Sequence, residues 1–361
     1  MKLLKRPIKV LLTASGGPGW VSMYKCLKNN GERELKVYGC DVSEHTAGSY
    51  YAEKHFQVEM GSDPKFIPHL LKIAQKEHID IILPTVDSEL LPLAKNIELF
   101  KKNNVKVAVS NPQSLKIVTN KANLFKFLQD NNLPSPKYFK VKNWADFLKT
   151  LDSLNYPKEA VCFKPVNSYG SRGFRILDSK KNFYHLLLDE KPQGIYISFK
   201  ELKNILEKQF PFPELLVMEY LSGKEYTVDI FVDKGEIKYI IPRLRLKMEQ
   251  GITIEGLVEK NEEIISLSKR LISKLEMNYC VGIQARYDKK GTPKILEINP
   301  RLQGTTIISY GARVNLPYFA VKSCLDEKIP KVKINFGVHM YRHWQEVFLK
   351  GNTKYNKLIK I

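Results

Sequence analysis

The residues best suited to chemistry lie near the end of the chain, in Lys294-Ile295-Leu296-Glu297-Ile298-Asn299-Pro300-Arg301. Ile295, Leu296 and Ile298 mark a short strand, while Glu297, Asn299 and Arg301 share a parity and point to one face. Just upstream runs Val281-Gly282-Ile283-Gln284-Ala285-Arg286-Tyr287, and the intervening Asp288-Lys289-Lys290-Gly291 is turn chemistry. Symmetric pairing about that turn sets Gln284 across from Glu297 and Gly282 across from Asn299. Three oxygen donors then converge. Such a set suits Mg²⁺, a hard cation usually held by one or two carboxylates together with phosphate oxygens and water. The competing reading is an exposed edge hairpin whose polar side happens to carry these residues, and this stretch alone leaves both open.

Further cations are spaced along the chain. Asn120 can cap a helix bearing Leu124, Phe125, Phe127 and Leu128, which places Lys121 in its first turn. A cation there opposes the helix dipole unless an anion is nearby, so Lys121 is either solvated or a phosphate contact. Lys164 opens the loop Pro165-Val166-Asn167-Ser168-Tyr169-Gly170-Ser171-Arg172-Gly173 between two strands. Glycine and serine let backbone N–H groups approach a polyphosphate there, although no Walker A pattern is present. On a later strand Arg243, Arg245 and Lys247 alternate with Leu244 and Leu246, which predicts three cations on one face. That face is either solvated or placed to neutralise an acidic substrate or a transferring phosphoryl group. Ser15-Gly16-Gly17-Pro18-Gly19 reads as a tight strand-to-helix turn, with an anion site at the helix start as the functional option.

The elements that must position these groups fall into two textures. Residues 1–115 alternate strand and helix, with strands at 8–12, 35–41, 79–83 and 105–109 and helices at 20–29, 65–76 and 88–101. Such alternation predicts a parallel sheet with helices on its faces and ligands beyond the carboxyl ends of the strands, where Asp41 and Pro84-Thr85-Val86-Asp87-Ser88-Glu89 gather. After residue 120 come mostly strands and hairpins, a helix at 262–275, and a proline-bounded excursion over 189–213 containing a helix at 199–209.

The totals exclude several classes. The chain has 361 residues, enough for two or three domains, and no apolar run approaches a membrane span. Its start lacks a small-residue cleavage site, which fits a cytoplasmic protein. Five scattered cysteines form no C-x-x-C pair and read as buried small residues rather than a disulfide or zinc framework. The net charge of +20 is spread over the whole chain without a dense basic block, which argues against a nucleic-acid partner.

The ordered set Lys121, the Lys164 loop, Glu219…Glu225 and Gln284…Glu297-Ile298-Asn299-Pro300-Arg301, following an α/β amino-terminal domain, resembles the ATP-grasp superfamily. The resemblance is to its carbamoyl-phosphate-synthase-like branch and covers nearly the whole chain. It implies an α/β and α+β fold: a pre-ATP-grasp Rossmann-like domain over 1–115, a two-lobed grasp module over 116–330 with a small lobe at about 160–225, and a tail over 331–361 packed on the module. It also implies roles. Lys121 and Lys164 contact ATP phosphates, Ser168, Gly170 and Ser171 belong to the loop closing over them, Glu219 with Tyr220 and Leu221 reads adenine, and Glu225 holds ribose. Gln284, Glu297 and Asn299 bind Mg²⁺ (or Mn²⁺), with two ions expected. Arg301 steadies the γ-phosphate and acyl phosphate, with Lys164 and Arg243 assisting.

The implied reaction is ATP-dependent activation of a small-molecule carboxylate as an acyl phosphate for attack by an amine or similar nucleophile, in a chain that can act as a homodimer. The presence of one grasp module rather than two makes carbamoyl phosphate synthesis itself a poor expectation, and the loop has fewer glycines than the synthase's own. Two other readings stand beside it: a non-catalytic ATP-binding regulator, and an NAD(P)-dependent oxidoreductase using residues 1–110.

Overall fold

A computed structural model describes residues 6–166, 173–189, 194–249, 251–350 and 353–354. The amino-terminal sheet comprises β1 (Ile8–Leu12), β2 (Leu35–Asp41), β3 (His55–Gln57), β4 (Ile81–Leu83) and β5 (Lys106–Val107), in the order β3-β2-β1-β4-β5. Every pairing is parallel. Both faces are buried because successive apolar residues serve opposite sides. Val10, Leu12, Val37 and Leu83 face one core, while Leu11, Tyr38 and Ile82 face the other.

The expected helix over 88–101 is two helices, Asp87–Lys95 and Ile97–Lys102. Pro92 lies within the first, and Asn96 ends it by donating its side-chain amide to Pro92 O at 2.9 Å. The expected strand at 105–109 shortens to Lys106–Val107.

The remaining strands form two antiparallel sheets. The smaller contains β6 (Tyr138–Val141), β7 (Val161–Pro165), β8 (Arg175–Leu177) and β9 (Leu215–Glu219), in the order β6-β9-β7-β8. The helix Phe199–Leu206, opened by a Ser198/Glu201 capping box, packs Leu202 and Leu206 into this sheet's core, so the excursion is anchored.

The larger sheet contains β10 (Glu225–Asp233), β11 (Glu236–Glu249), β12 (Ile252–Val258), β13 (Tyr279–Tyr287), β14 (Pro293–Asn299) and β15 (His339–Tyr341), in the order β14-β13-β10-β11-β12-β15. One face (Val228, Ile230, Ile240, Val281 and Ile283) rests on the helices Lys121–Asp130 and Glu262–Ile272. The opposite face divides. Phe231, Tyr239, Ile241, Val258 and Cys280 join β1, β2 and the helix Leu316–Cys324 in one continuous core, and the other end of the face is polar. The amino-terminal sheet is thereby fixed to the larger one.

All five cysteines are buried free thiols, as their scatter predicts. Among the described residues no helix is long and apolar enough to cross a membrane.

The two halves also meet backbone to backbone. A Cβ on Gly19 would lie 2.4 Å from Gly304 Cα. At the carboxyl ends of the parallel strands, Thr13 donates its hydroxyl to the buried carboxylate of Glu89 at 2.5 Å. Burial pushes the Glu89 carboxyl up from 4.5 to about 7, against the hydrogen bonds from Thr13 and the Thr85 and Val86 N–H groups.

Two outcomes follow. Gly19→Ala forces backbone against backbone and should destabilise the fold by about 1–3 kcal/mol in urea unfolding. A raised folded pKa stabilises below the unfolded value and ceases to as pH rises through the folded one. The unfolding free energy should therefore fall by at most about 3 kcal/mol between pH 4.5 and about 7, and Glu89→Gln should flatten that slope.

Candidate functional site

The expected pairing is present, but an irregularity sets it: the pairs nearest the turn, Tyr287 with Pro293, Arg286 with Lys294 and Ala285 with Ile295, would put Gln284 opposite Leu296. Gln284 pairs with Glu297 and Gly282 with Asn299, and the irregularity falls next to Gln284, where Ala285 pairs with Ile295. Strand alternation then puts Gln284, Glu297 and Asn299 on the polar end of the larger sheet's free face. Asn299 donates its amide to Glu297 Oε1 at 3.0 Å, which turns its own carbonyl oxygen outward to Arg301 NH2 at 3.2 Å.

Lys121 reaches this carboxylate from its helix start. Asn120 caps that helix, accepting from the Asn123 N–H at 3.0 Å, and Lys121 Nζ donates to Glu297 Oε2. Lys164, from the end of β7, lies against Lys121. Burial opposes ionisation of Glu297, but the Lys121 ammonium and the Asn299 amide override it and hold the carboxyl down at about 2. Burial and the neighbouring Lys121 charge bring Lys164 down to about 7. The first-turn lysine that seemed opposed to its helix dipole thus has its anion in Glu297.

Arg301 is fixed from the amino-terminal domain. Its Nε donates to Asp87 Oδ1 at 2.9 Å and its NH2 to Oδ2 at 3.2 Å, a two-pronged contact. Asp87 starts the helix after β4, so the carboxyl end of the parallel sheet does contribute to the site.

The strand β9 leads to β10 through residues 220–224. Glu219 accepts from Lys294 Nζ at 2.6 Å and from the Lys137 N–H at 2.7 Å. The Arg286 guanidinium lies over the Tyr220 ring, 5.1 Å from its centroid, and Leu221 is buried. Glu225 is held by Arg245 NH1 at 2.5 Å and by Arg286 NH1 at 3.6 Å.

The expectation of three free cations on β11 is corrected. Arg243 is 2% exposed, donates to Asp229 Oδ1 at 2.7 Å and to Thr305 Oγ1 at 2.6 Å, and faces no open cleft. Asp229 in turn accepts from Gln303 Nε2 at 3.0 Å and from the Ser309 hydroxyl at 2.5 Å. Arg245 is taken up by Glu225, Thr253 and Gly251 O. A bulge between Arg245 and Lys247 breaks the alternation before the third cation. Asp229 and Gln303 escaped the sequence reading because only the register of β10 against β11 and β13 brings them to Arg243. An acid set between apolar neighbours inside a strand, Val228-Asp229-Ile230, was the available signal.

The glycine loop is a turn organised by Asp41, which accepts the Gly16 N–H at 2.8 Å and the Ser43 N–H at 3.0 Å. Ser168, Gly170 and Ser171 lie outside the described residues.

With one carboxylate, two amide oxygens and two lysines at one point, the arrangement can hold a cation-bridged polyphosphate. Among the described residues no three His, Cys, Asp or Glu side chains gather to hold a metal ion. A Glu with amide oxygens is the weaker donor set that leaves coordination positions for phosphate and water.

Comparison with known proteins agrees with this geometry. A family profile described as "ATP-grasp in the biosynthetic pathway with Ter operon" matches residues 211–345, and one for the "PylC-like, N-terminal domain" matches residues 10–108. Residues 211–345 thus resemble an ATP-grasp family. The chain is 22% identical over 250 residues to the carbamoyl phosphate synthase large chain of Campylobacter jejuni, which covers 68% of this chain and 21% of the synthase. The chain therefore spans about a fifth of the length of that relative. The ADP complex of N5-carboxyaminoimidazole ribonucleotide synthetase superposes with a TM-score of 0.67 at 17% identity, covering 94% of this chain and 82% of that one. The biotin carboxylase domain of the Hydrogenobacter thermophilus 2-oxoglutarate carboxylase, in complex with MgADP and bicarbonate, superposes with a TM-score of 0.65 at 15% identity, covering 92% and 74%. These structures share the ATP-grasp fold with this chain.

Removing one member of the buried pair tests its assignment as a structural brace. Arg243→Ala leaves Asp229 charged and unpaired and should destabilise the chain by about 3–5 kcal/mol in chemical unfolding.

Proposed function

We propose that this protein is an ATP- and Mg²⁺-dependent ligase that joins a small-molecule carboxylate to an amine or similar nucleophile. The observation that carries this reading is Glu297, held ionised between Asn299 and Lys121 and paired in register with Gln284, with Lys164 alongside. Such a cluster suits a triphosphate and its cation better than any reaction needing an enzyme nucleophile.

On this reading, Gln284, Glu297 and Asn299 would hold the magnesium, with two ions and Mn²⁺ as a substitute. When bound, the metal screens the charge of the γ-phosphate from an approaching carboxylate. Lys121 and Lys164 bind the phosphates, with Ser168, Gly170 and Ser171 closing over them. Adenine lies at the connection between β9 and β10, formed by Glu219, Tyr220 and Leu221, and ribose at Glu225.

The carboxylate oxygen of the substrate attacks the γ-phosphorus and ADP leaves. The amine then attacks the acyl carbon, phosphate departs, and the amine gives up a proton. Arg301, oriented by Asp87 and Asn299, supplies the fixed positive charge beside the acyl phosphate. Arg243 serves this reaction by holding the loop 303–309 through Thr305, rather than by touching the substrate.

The reading divides the chain into an amino-terminal domain (1–115), a grasp module (116–330, small lobe about 160–225) and a tail (331–361) that adds β15 to the larger sheet. It is that of a cytoplasmic enzyme acting as a homodimer.

The test is ADP release over a panel of carboxylic acids, each with an amine acceptor. Glu297→Ala should lower acid-dependent release at least about a hundredfold while the circular dichroism spectrum stays that of the wild type. Undiminished turnover would refute the assignment of Glu297.

A further inference from the structure

The smaller sheet has two faces with different neighbours. Cys162 and Ile176 pair on the face that packs against the larger sheet. Lys164, two residues beyond Cys162, shares that face and lies against Lys121. Phe163 and Arg175 pair on the opposite face, where Phe163 belongs to the core closed by the helix Phe199–Leu206. Arg175 is therefore turned away from the Glu297 cluster.

A cavity of about 400 Å³ opens on that side, lined by Arg175, Tyr196, Ile197, Glu201, Asn204 and Ile205. Its walls follow from the local structure. The Ile197 N–H donates to Ile176 O at 3.1 Å, so residues 195–197 extend the sheet beside β8. Glu201, Asn204 and Ile205 are spaced i, i+3 and i+4 and form one face of the helix, whose other face sends Leu202 and Leu206 into the core. Ile205 is 59% exposed, a large apolar side chain that the fold leaves in water.

The lining carries one charge of each sign. The Arg175 guanidinium donates from NH1 to Phe174 O at 2.8 Å, and among the described residues no carboxylate pairs with it. Glu201 accepts from the Ser198 N–H at 3.0 Å and from the Ser198 hydroxyl at 2.7 Å, both through Oε2. Those bonds hold its carboxyl below the usual range and leave Oε1 to another donor. Arg175 and Glu201 do not pair with each other, and the Asn204 amide has no partner among the described residues. Lys181 Nζ lies 4.6 Å from the centroid of the Tyr196 ring.

Two opposite charges that line one small cavity without neutralising each other fit a ligand carrying the same two charges in reverse. An α-amino acid bears both on one carbon. Its carboxylate matches the guanidinium fork, and its ammonium group has acceptors in Glu201 Oε1 and the Asn204 carbonyl oxygen. Tyr196, Ile197 and Ile205 make the remaining walls apolar, which suits an apolar side chain. A dicarboxylate or inorganic phosphate would bring a second negative charge against Glu201, and a diamine would bring a positive one against Arg175.

We propose that this cavity is a binding site for a zwitterionic amino acid with an apolar side chain, Arg175 taking its carboxylate and Glu201 its ammonium group. The site lies on the other face of the sheet from Lys164, so its occupant is separate from the nucleotide and does not take part in the reaction. The binding site itself does not rest on the ligase reading. Isothermal titration calorimetry on the full chain, with L-leucine and with L-phenylalanine as probes, tests it. At least one should bind saturably. Removing either charge of the ligand (isoamylamine and isocaproate for leucine, phenethylamine and hydrocinnamate for phenylalanine) should weaken binding at least about tenfold. Arg175→Gln and Glu201→Gln should each weaken it as much, since glutamine loses the charge and at position 201 still caps Ser198. Magnesium with a non-hydrolysable ATP analogue should leave the affinity within about threefold.

Binding of neither amino acid by the wild type overturns the proposal. Equal binding of the singly charged analogues overturns it too, and that comparison is made on the wild type, so it needs no variant to fold. Undiminished binding by either variant, or displacement of the amino acid by the ATP analogue, puts the ligand elsewhere and has the same force. Failure of the ATP analogue to bind would instead count against the ligase reading, with the amino-acid result standing apart.

Discussion

The site depends on one carboxylate facing two ammonium groups. Glu297 sits between Lys121 and Asn299 on a strand whose other face is core, and neither it nor its hairpin can turn away without breaking the pairing of β13 and β14. At about 4 Å, opposite charges attract by roughly 4 kcal/mol in an environment of intermediate polarity, so Lys121 and Glu297 hold each other in place. Lys164 joins as a second basic group and is driven down to about 7 by burial first and by the neighbouring Lys121 charge second. The cluster therefore carries more positive charge than its own acid can offset. On the proposed function, a polyphosphate would reverse that balance and create the demand for a further cation at Glu297.

The scaffold makes this position rigid from behind. The continuous core through Leu12, Leu83, Ile241, Val258 and Phe319 fuses the parallel sheet to the larger antiparallel one. Fusion matters because the site draws on both: Asp87 at the end of the parallel sheet orients Arg301, while Arg301 belongs to the segment after β14. The Arg243–Asp229 pair belongs to the same framework. Its bonds to Thr305, Gln303 and Ser309 pin the segment after Arg301 onto β10 and β11, and a one-residue slip there would move Arg301 off Asp87.

Much of this was legible where local chemistry decides geometry. The turn at Asp288–Gly291 announces the hairpin, and Gln284 does pair with Glu297, although a bulge beside Gln284 and not the turn alone sets that pair. Asn120 announces a helix start, and its side chain does accept from the Asn123 N–H group. The alternation of residues 1–115 predicts the parallel sheet. What stayed hidden depends on contacts between distant segments. Arg243, Arg245 and Lys247 looked like a row of equal cations, yet register gives the first Asp229, the second Glu225, and a bulge displaces the third. The break at Asn96 is a smaller case, in which helical periodicity runs smoothly from one helix into the next across Asn96. Arg342, which donates to Pro18 O at 3.2 Å and to Gly304 O at 2.7 Å, had no signal at all, because its acceptors are backbone carbonyls, which carry no mark in sequence.

That contrast explains why a sequence of this kind speaks more clearly about nucleotide than about substrate. The groups placed toward the phosphates lie on or next to paired strands and capped helices, where spacing translates directly into position. The groups at the other end come from the loop at Pro18, the loop at Gly304 and the strand at residue 339, which meet only because two sheets are packed together. Those loops are also tied into the framework, by the close approach of Gly19 to Gly304 and the bond from Arg243 to Thr305, so packing rather than local sequence sets their positions.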